Sequence, residues 1–380
     1  STAALPQALA ARVVGRSQAS VPGVPGGSWL GSMPFLSIQR ASVGASTAAR
    51  AAVAGGAVDA PSRRFESARR DHPLVGRPAR GIAARGRHDG ARQIGTMREL
   101  EDSVDLLREG RGDELRAKMA RDGYVLLRGL LDREKVLALR GEVVSELKDL
   151  AWLDPTEQSD ARLGTLCARP PAETLEGGKD PHDWPIFDRV QRLAAFHALP
   201  HSPPLLHAID ALCGEEALLH PRHILRAHFP NQPIHRTLPH QDYPYVQGTA
   251  RALTCWCPLG DVPVSFGPLA ILVGSNRAGP LKVISEPGGA LMVDFASLLD
   301  DCHWASTHFS AGDVLIFTAL TCHMGLDNES DEVRLSLDCR ASPRSLPVSH
   351  RSLEPNWARD TWEEIYAHPS WAVPGEVGRR

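Results

Sequence analysis

Gly312-Asp313-Val314-Leu315-Ile316-Phe317, then His323, then Val333-Arg334-Leu335-Ser336-Leu337-Asp338-Cys339-Arg340 is the stretch on which the fold turns. Its last segment alternates without a break. Val333, Leu335, Leu337 and Cys339 fall on one face, and Arg334, Ser336, Asp338 and Arg340 on the other. Strict period two is the signature of a strand. A polar row opposite an apolar one has two explanations: a solvated sheet face, or an interior that handles charge. Working outward, short apolar runs recur from about His223 to Arg340: Ile224–Phe229, Ala252–Leu259, Leu269–Val273, Ala290–Phe295 and Asp313–Thr318. Gly260-Asp261, Gly274-Ser275-Asn276, Pro287-Gly288-Gly289 and Ala311-Gly312-Asp313 separate them as turns. Many short strands punctuated this way predict a sandwich or a double-sheet jelly roll.

Upstream, the pattern is helical. Leu100, Val104 and Leu107, then Leu115 and Met119, recur at helix spacing, and Gly123 ends the second run before a short strand, Tyr124 to Leu127. Asp132 is placed to cap a helix reaching about Leu150. Residues 154 to 188 read as a long loop, followed by helical stretches over about Phe187 to Leu199 and Pro204 to Leu212. Thr361-Trp362-Glu363-Glu364 has capping-box spacing in the C-terminal tail. Residues 1–96 are rich in Ala, Gly, Ser, Pro and Arg and sustain no apolar period, which predicts disorder. They are either an organelle-type leader or an upstream extension before Met97; the length and the lack of an amphipathic helix favour the second. The expected layout is one domain over 97–380: helical support at 97–222, a β core at about 223–342 and a tail at 343–380.

A formal charge of −3 gives no basic excess for nucleic acid. No run approaches the roughly 18–20 apolar residues of a membrane span. Seven cysteines form no C-x-x-C pair and read as buried free thiols of a reducing compartment. The expected setting is the cytoplasm, or an organelle if the leader is a transit peptide, with a monomer or homodimer as the assembly.

Sixteen histidines make chance pairings easy. His220 and His223 are interrupted by Pro221 and lack a carboxylate. His235, His303 and His308 have no partner pattern. His240-Gln241-Asp242 is different: in an extended segment residues i and i+2 point the same way, so imidazole and carboxylate converge. His323 follows the strand at 312–317. Two histidines and a carboxylate on one side of an octahedral ion leave three positions open, the facial triad of iron(II) oxygenases. Arg334, eleven residues after His323, would face inward and bind a carboxylate through its planar fork, with Ser336 adding a hydroxyl. Asp338 and Arg340 are expected to pair with each other.

Taken together, these residues resemble the phytanoyl-CoA dioxygenase family over about Gly123 to Tyr366. The blocks are Asp122-Gly123-Tyr124-Val125-Leu126-Leu127-Arg128-Gly129-Leu130-Leu131, Leu238-Pro239-His240-Gln241-Asp242 with the strand of Trp256, Gly267-Pro268-Leu269-Ala270-Ile271-Leu272-Val273-Gly274-Ser275, and Gly312 through His323 to Arg340. The resemblance implies a mainly β fold with flanking helices and a double-stranded β-helix (jelly-roll, cupin-like) core. It implies Fe(II) on His240, Asp242 and His323, with 2-oxoglutarate on Arg334, Ser336 and Trp256. With O2 as the other substrate, it implies oxidation of a small molecule, with release of succinate and CO2. Related halogenases carry a small residue in place of the carboxylate, so Asp242 implies hydroxylation instead. Asn276, Gly325 and Gly267-Pro268 depart from the family pattern and leave the metal and arginine positions intact. The substrate is expected to be secondary-metabolite-like or acyl, with Arg226, His228, Tyr243 and Tyr245 as candidate pocket residues. A jelly-roll metalloenzyme that does not use 2-oxoglutarate, or a non-catalytic binding member, are the alternatives.

Overall fold

The computed structural model describes residues 97–153, 185–230, 237–285, 291–355 and 360–371. The expected leader and most of the 154–188 loop lie outside them. The last four residues of that loop instead open a helix.

The described chain runs β1 (Arg98–Glu99), α1 (Val104–Arg108), α2 (Gly112–Asp122), β2 (Tyr124–Leu127), α3 (Arg133–Asp149), α4 (Pro185–Gln191), α5 (Ala194–Ala198) and α6 (Pro203–Cys213). It continues with β3 (Ala217–Leu219), β4 (Ile224–His228), α7 (Tyr243–Val246), β5 (Leu253–Pro258), β6 (Leu269–Val273), β7 (Val283–Ser285) and β8 (Leu291–Val293). β9 (His303–Ser306), β10 (Val314–Thr318), β11 (His323–Gly325), β12 (Arg334–Pro343) and α8 (Trp362–Tyr366) complete it.

Local signals explain the helix ends. The Asp132 carboxylate accepts from the Glu134 and Lys135 amides and starts α3. Gly123 ends α2 with φ +84°, and a Cβ there would come within 2.6 Å of Thr321 Oγ1. Thr361 and Glu364 close the capping box of α8. The single helix expected over 187–199 is two, α4 and α5, separated at Arg192-Leu193.

β4, β12, β5, β10 and β2 lie side by side in one sheet, with β3 alongside the far end of β12. β11, β6, β9 and β1 form a second sheet, and a backbone bridge between His240 and His323 extends it past β11. In chain order, β4, the His240 segment, β5, β6, β9, β10, β11 and β12 make eight core segments. The first, third, sixth and eighth share one sheet and the other four share the second, which is the double-stranded β-helix. β9 and β11 were not legible as strands in the sequence: β9 carries His303 and Trp304 in a polar stretch, and β11 is three residues long.

α2, α3 and α6 cover the outer face of the larger sheet. There Leu115, Val136, Leu139, Val143 and Leu205 belong to one core with Leu335, Leu337, Cys255, Cys257 and Cys339. A second core between the sheets contains Tyr124, Leu126, Trp256, Leu269, Ile271, Phe309, Leu315 and Phe317. Cys213, Cys255, Cys257, Cys302, Cys322 and Cys339 are free thiols. No helix among the described residues is long and apolar enough to cross a membrane.

Candidate active site

His240 and His323 are brought together by the backbone. Each donates its amide to the other's carbonyl at 3.0 Å, and the imidazole centroids lie 4.2 Å apart. The chain does not stay extended through Asp242, as the spacing had predicted. It turns to helical backbone there, φ −73° and ψ −23°, and Asp242 stands at the N-cap position of α7 without a side-chain capping bond. Gln241 fixes this turn from the opposite side. Its amide nitrogen donates to the Gly279 and Leu320 carbonyls, and its oxygen accepts from Leu281 N.

The result is a buried cluster in which one ligand atom each from His240, Asp242 and His323 lies within 4.8 Å of the others. The Nδ1 atoms of His240 and His323 lie 2.8 and 3.1 Å from the Leu238 and Thr321 carbonyls. A carbonyl only accepts, so each ring carries its proton on Nδ1 and turns a bare Nε2 to the cluster. Burial and the neighbouring His240 push His323 down to about 3, which keeps it neutral and able to ligate. Burial alone would raise Asp242. The Arg340 guanidinium overcomes it and holds the carboxyl well below its usual range. Two neutral imidazoles and one carboxylate suit iron(II) and leave half of an octahedron open.

Arg334 stands further along the inner face of β12. Its Nη1 donates to Ser336 Oγ at 2.8 Å, and Nη2 lies 3.3 Å from His228 Nδ1. The guanidinium carbon is 5.8 Å from the centre of the Trp256 ring. Burial pushes Arg334 down to about 10, against the pull of Asp338, so it remains a cation at neutral pH. Arg334 Nε and Trp256 Nε1 are both buried with no hydrogen-bond partner. Such donors in a cavity fit an acidic ligand that would satisfy them.

The cavity, about 380 Å³ with the open solvent at its mouth included, joins the two groups. Arg226, His240, Asp242, Trp256, His323 and Arg334 all line it. Of the remaining expected pocket residues, His228 is buried against Arg334, and half-buried Tyr243 packs with Val246, Ala252 and Ala319. Tyr245 is 46% exposed, its ring edge-on to His240 with centroids 5.9 Å apart.

The expected Asp338–Arg340 pair does not form. Arg226 Nε donates to Asp338 Oδ2 at 3.0 Å, and Arg340 turns to Asp242, 3.3 Å from each carboxylate oxygen. Neighbours on one face of a single strand lie about 7 Å apart, so each charge found a partner on another segment. Thr254, which donates to Asp242 Oδ2 at 2.5 Å, was missed along with Thr237, Leu269 and Phe317 of the lining. Thr254 was within reach of sequence reasoning, because it shares the face of Trp256 two residues on.

The phytanoyl-CoA dioxygenase (PhyH) family profile matches residues 119–336. The 1-deoxypentalenic acid 11-beta-hydroxylase of Streptomyces exfoliatus is 28% identical over 269 residues, covering 67% of this chain and 87% of that protein. Its counterpart from Streptomyces arenae is 29% identical over the same lengths. Among solved structures, the epimerase SnoN in complex with Fe3+, alpha ketoglutarate and nogalamycin RO is 20% identical. It covers 63% of this chain and 86% of its own, with a TM-score of 0.45.

Proposed function

The chain belongs to the phytanoyl-CoA dioxygenase family of iron(II)- and 2-oxoglutarate-dependent oxygenases, and from that premise we propose how its residues divide the work. His240, Asp242 and His323 hold the iron. Arg334, with Ser336 and Trp256, takes the far carboxylate of 2-oxoglutarate. Bound iron and 2-oxoglutarate together supply an oxidant able to take hydrogen from an unactivated C–H bond, with succinate and CO2 as co-products. The reaction is hydroxylation of a small organic molecule.

The protein's part is positioning. The Leu238 and Thr321 carbonyls set the imidazole tautomers. Ser336 and His228 fix the Arg334 fork before any ligand arrives. Trp256, Leu269 and Phe317 supply apolar walls that keep bulk water from the reacting centre. Arg226 is the cation of this lining that is 31% exposed, where a substrate carboxylate can reach it. Both curated relatives act on an acid, so a mostly apolar carboxylic acid is the first substrate class to try. The free thiols fit a reducing compartment such as the cytoplasm.

The observation that carries this reading is the buried Arg334, with its unpaired Nε, in the same cavity as the metal-ligand cluster. The test is anaerobic addition of iron(II) and 2-oxoglutarate. The expected result is a weak visible charge-transfer band, and Arg334→Met should raise the 2-oxoglutarate concentration needed for it about a hundredfold or more. Absence of the band in wild type, together with no succinate under air across a panel of acids including 1-deoxypentalenic acid, overturns the assignment.

A further inference from the structure

A carboxylate can meet a metal through one oxygen or two, and the surroundings of Asp242 differ at its two oxygens. Oδ1 lies 3.6 Å from His240 Nε2, on the side of the metal-ligand cluster. Oδ2 accepts the Thr254 hydroxyl at 2.5 Å. Arg340 Nη2 lies 3.3 Å from both. Thr254 and Arg340 are not two accidental neighbours. They face each other directly across the β5–β12 ladder, and both are buried. One cross-strand pair therefore grips one carboxylate from the large sheet, while the histidines approach from the small one.

We propose that Thr254 and Arg340 are positioning residues that hold Oδ2 back, so that Asp242 meets the metal through Oδ1 alone. This rests on the metal assignment above. Two imidazoles and one oxygen fill three of six octahedral positions. A second carboxylate oxygen would fill a fourth, leaving only the two a chelating keto acid needs and none beyond. A hydroxyl hydrogen bond this short is of the charge-assisted kind and engages the oxygen that would otherwise swing inward. Arg340 touches both oxygens and so fixes the plane of the group. Its charge by itself works against a dication. If charge were its only role, removing Arg340 would tighten metal binding, whereas loss of a positioning contact loosens it.

The experiment uses the full chain freed of metal and titrated with cobalt(II) against a chromophoric chelator, with the visible cobalt spectrum recorded alongside. Thr254→Val keeps the shape and removes the hydroxyl. It and Arg340→Met should each weaken cobalt(II) binding about tenfold or more, and change the spectrum. Thr254→Ser and Arg340→Lys should recover most of the loss, which a general packing defect would not show. Thermal melts establish that each variant is folded. If Arg340→Met is not, the Thr254 pair decides the matter alone. Wild-type affinity and spectrum in Thr254→Val, or tighter binding in Arg340→Met, overturns the proposal. A wild-type chain that binds no cobalt(II) overturns the metal assignment itself, which is a different result.

Discussion

The two faces of β12 are equally buried and chemically opposite. All ten residues of the strand are buried. On the outer face Leu335, Leu337, Cys339 and Ala341 pack under the helices. On the inner face Arg334, Ser336, Asp338 and Arg340 point between the sheets. A strand covered on both sides normally reads as a continuous apolar run. Burying an ion costs several kcal/mol unless it is paired. Asp338 has Arg226, and Arg340 has Asp242. No carboxylate among the described residues hydrogen-bonds to Arg334. The outer face is made for stability and the inner face for a ligand the chain does not itself supply.

Two substitutions can break this division, and they should behave in opposite ways. The greater loss belongs to the inner side. His323→Ala removes one of three metal donors, so succinate formation should fall about a thousandfold or more, in line with the several kcal/mol a catalytic metal contributes. Its melting temperature, measured without metal, should stay close to wild type. Leu337→Ala is the outer counterpart at a fully buried position. It should cost about 2–5 kcal/mol in urea unfolding while the folded fraction binds cobalt(II) normally. A His323→Ala chain that fails to fold, or a folded Leu337→Ala chain that loses its metal, would erase the distinction between the faces.

This division was visible in the sequence because alternation along one strand is a local property. Period two alone put Arg334 and Ser336 on one face and the apolar row on the other, and the metal-ligand pattern upstream was needed to turn that face inward; β2, β5, β6 and β10 were bounded to within a residue or so by their turns. What the sequence hid depends on residues far apart in the chain. The partner of Arg340 is Asp242 and the partner of Asp338 is Arg226, both more than ninety residues away. Nothing local says which charge faces which. The turn at Asp242 was missed for a related reason: the i, i+2 pattern is the same whether the second residue continues a strand or opens a short helix. Departures from the family pattern found physical roles elsewhere. Asn276 Nδ2 donates to the Ala120 carbonyl and ties its turn to α2. Gly267, the glycine that the Gly267-Pro268 pair keeps, has φ +68° and no room for a Cβ against the Leu326 carbonyl oxygen.

Neutral polar groups are also buried on both sides of β12, at a cost that appears only in acid. His197 sits in the helical layer with Nε2 2.7 Å from the Gln191 carbonyl. His220 meets Ser342 Oγ, at the far end of the inner row. Burial pushes both from 6.5 down to about 4; His201 adds to this at His197 and Arg340 at His220. A folded-state value below the unfolded one means the unfolded chain binds more protons between them. The stability these residues allow is therefore full above pH 6.5 and is lost as the pH falls towards 4. One unit below 6.5, at pH 5.5, each should cost about 1.4 kcal/mol. Urea titrations at pH 7.5 and 5.5 measure the sum over these two and the other buried histidines that burial lowers, His201, His223 and His323. His197→Gln keeps an N–H for the Gln191 carbonyl and removes the titration, so it should flatten the pH slope by one histidine's share. An unchanged slope in that variant would mean that His197 gains a partner for its proton in acid, and that the helical layer is less closed to charge than the inner face of β12.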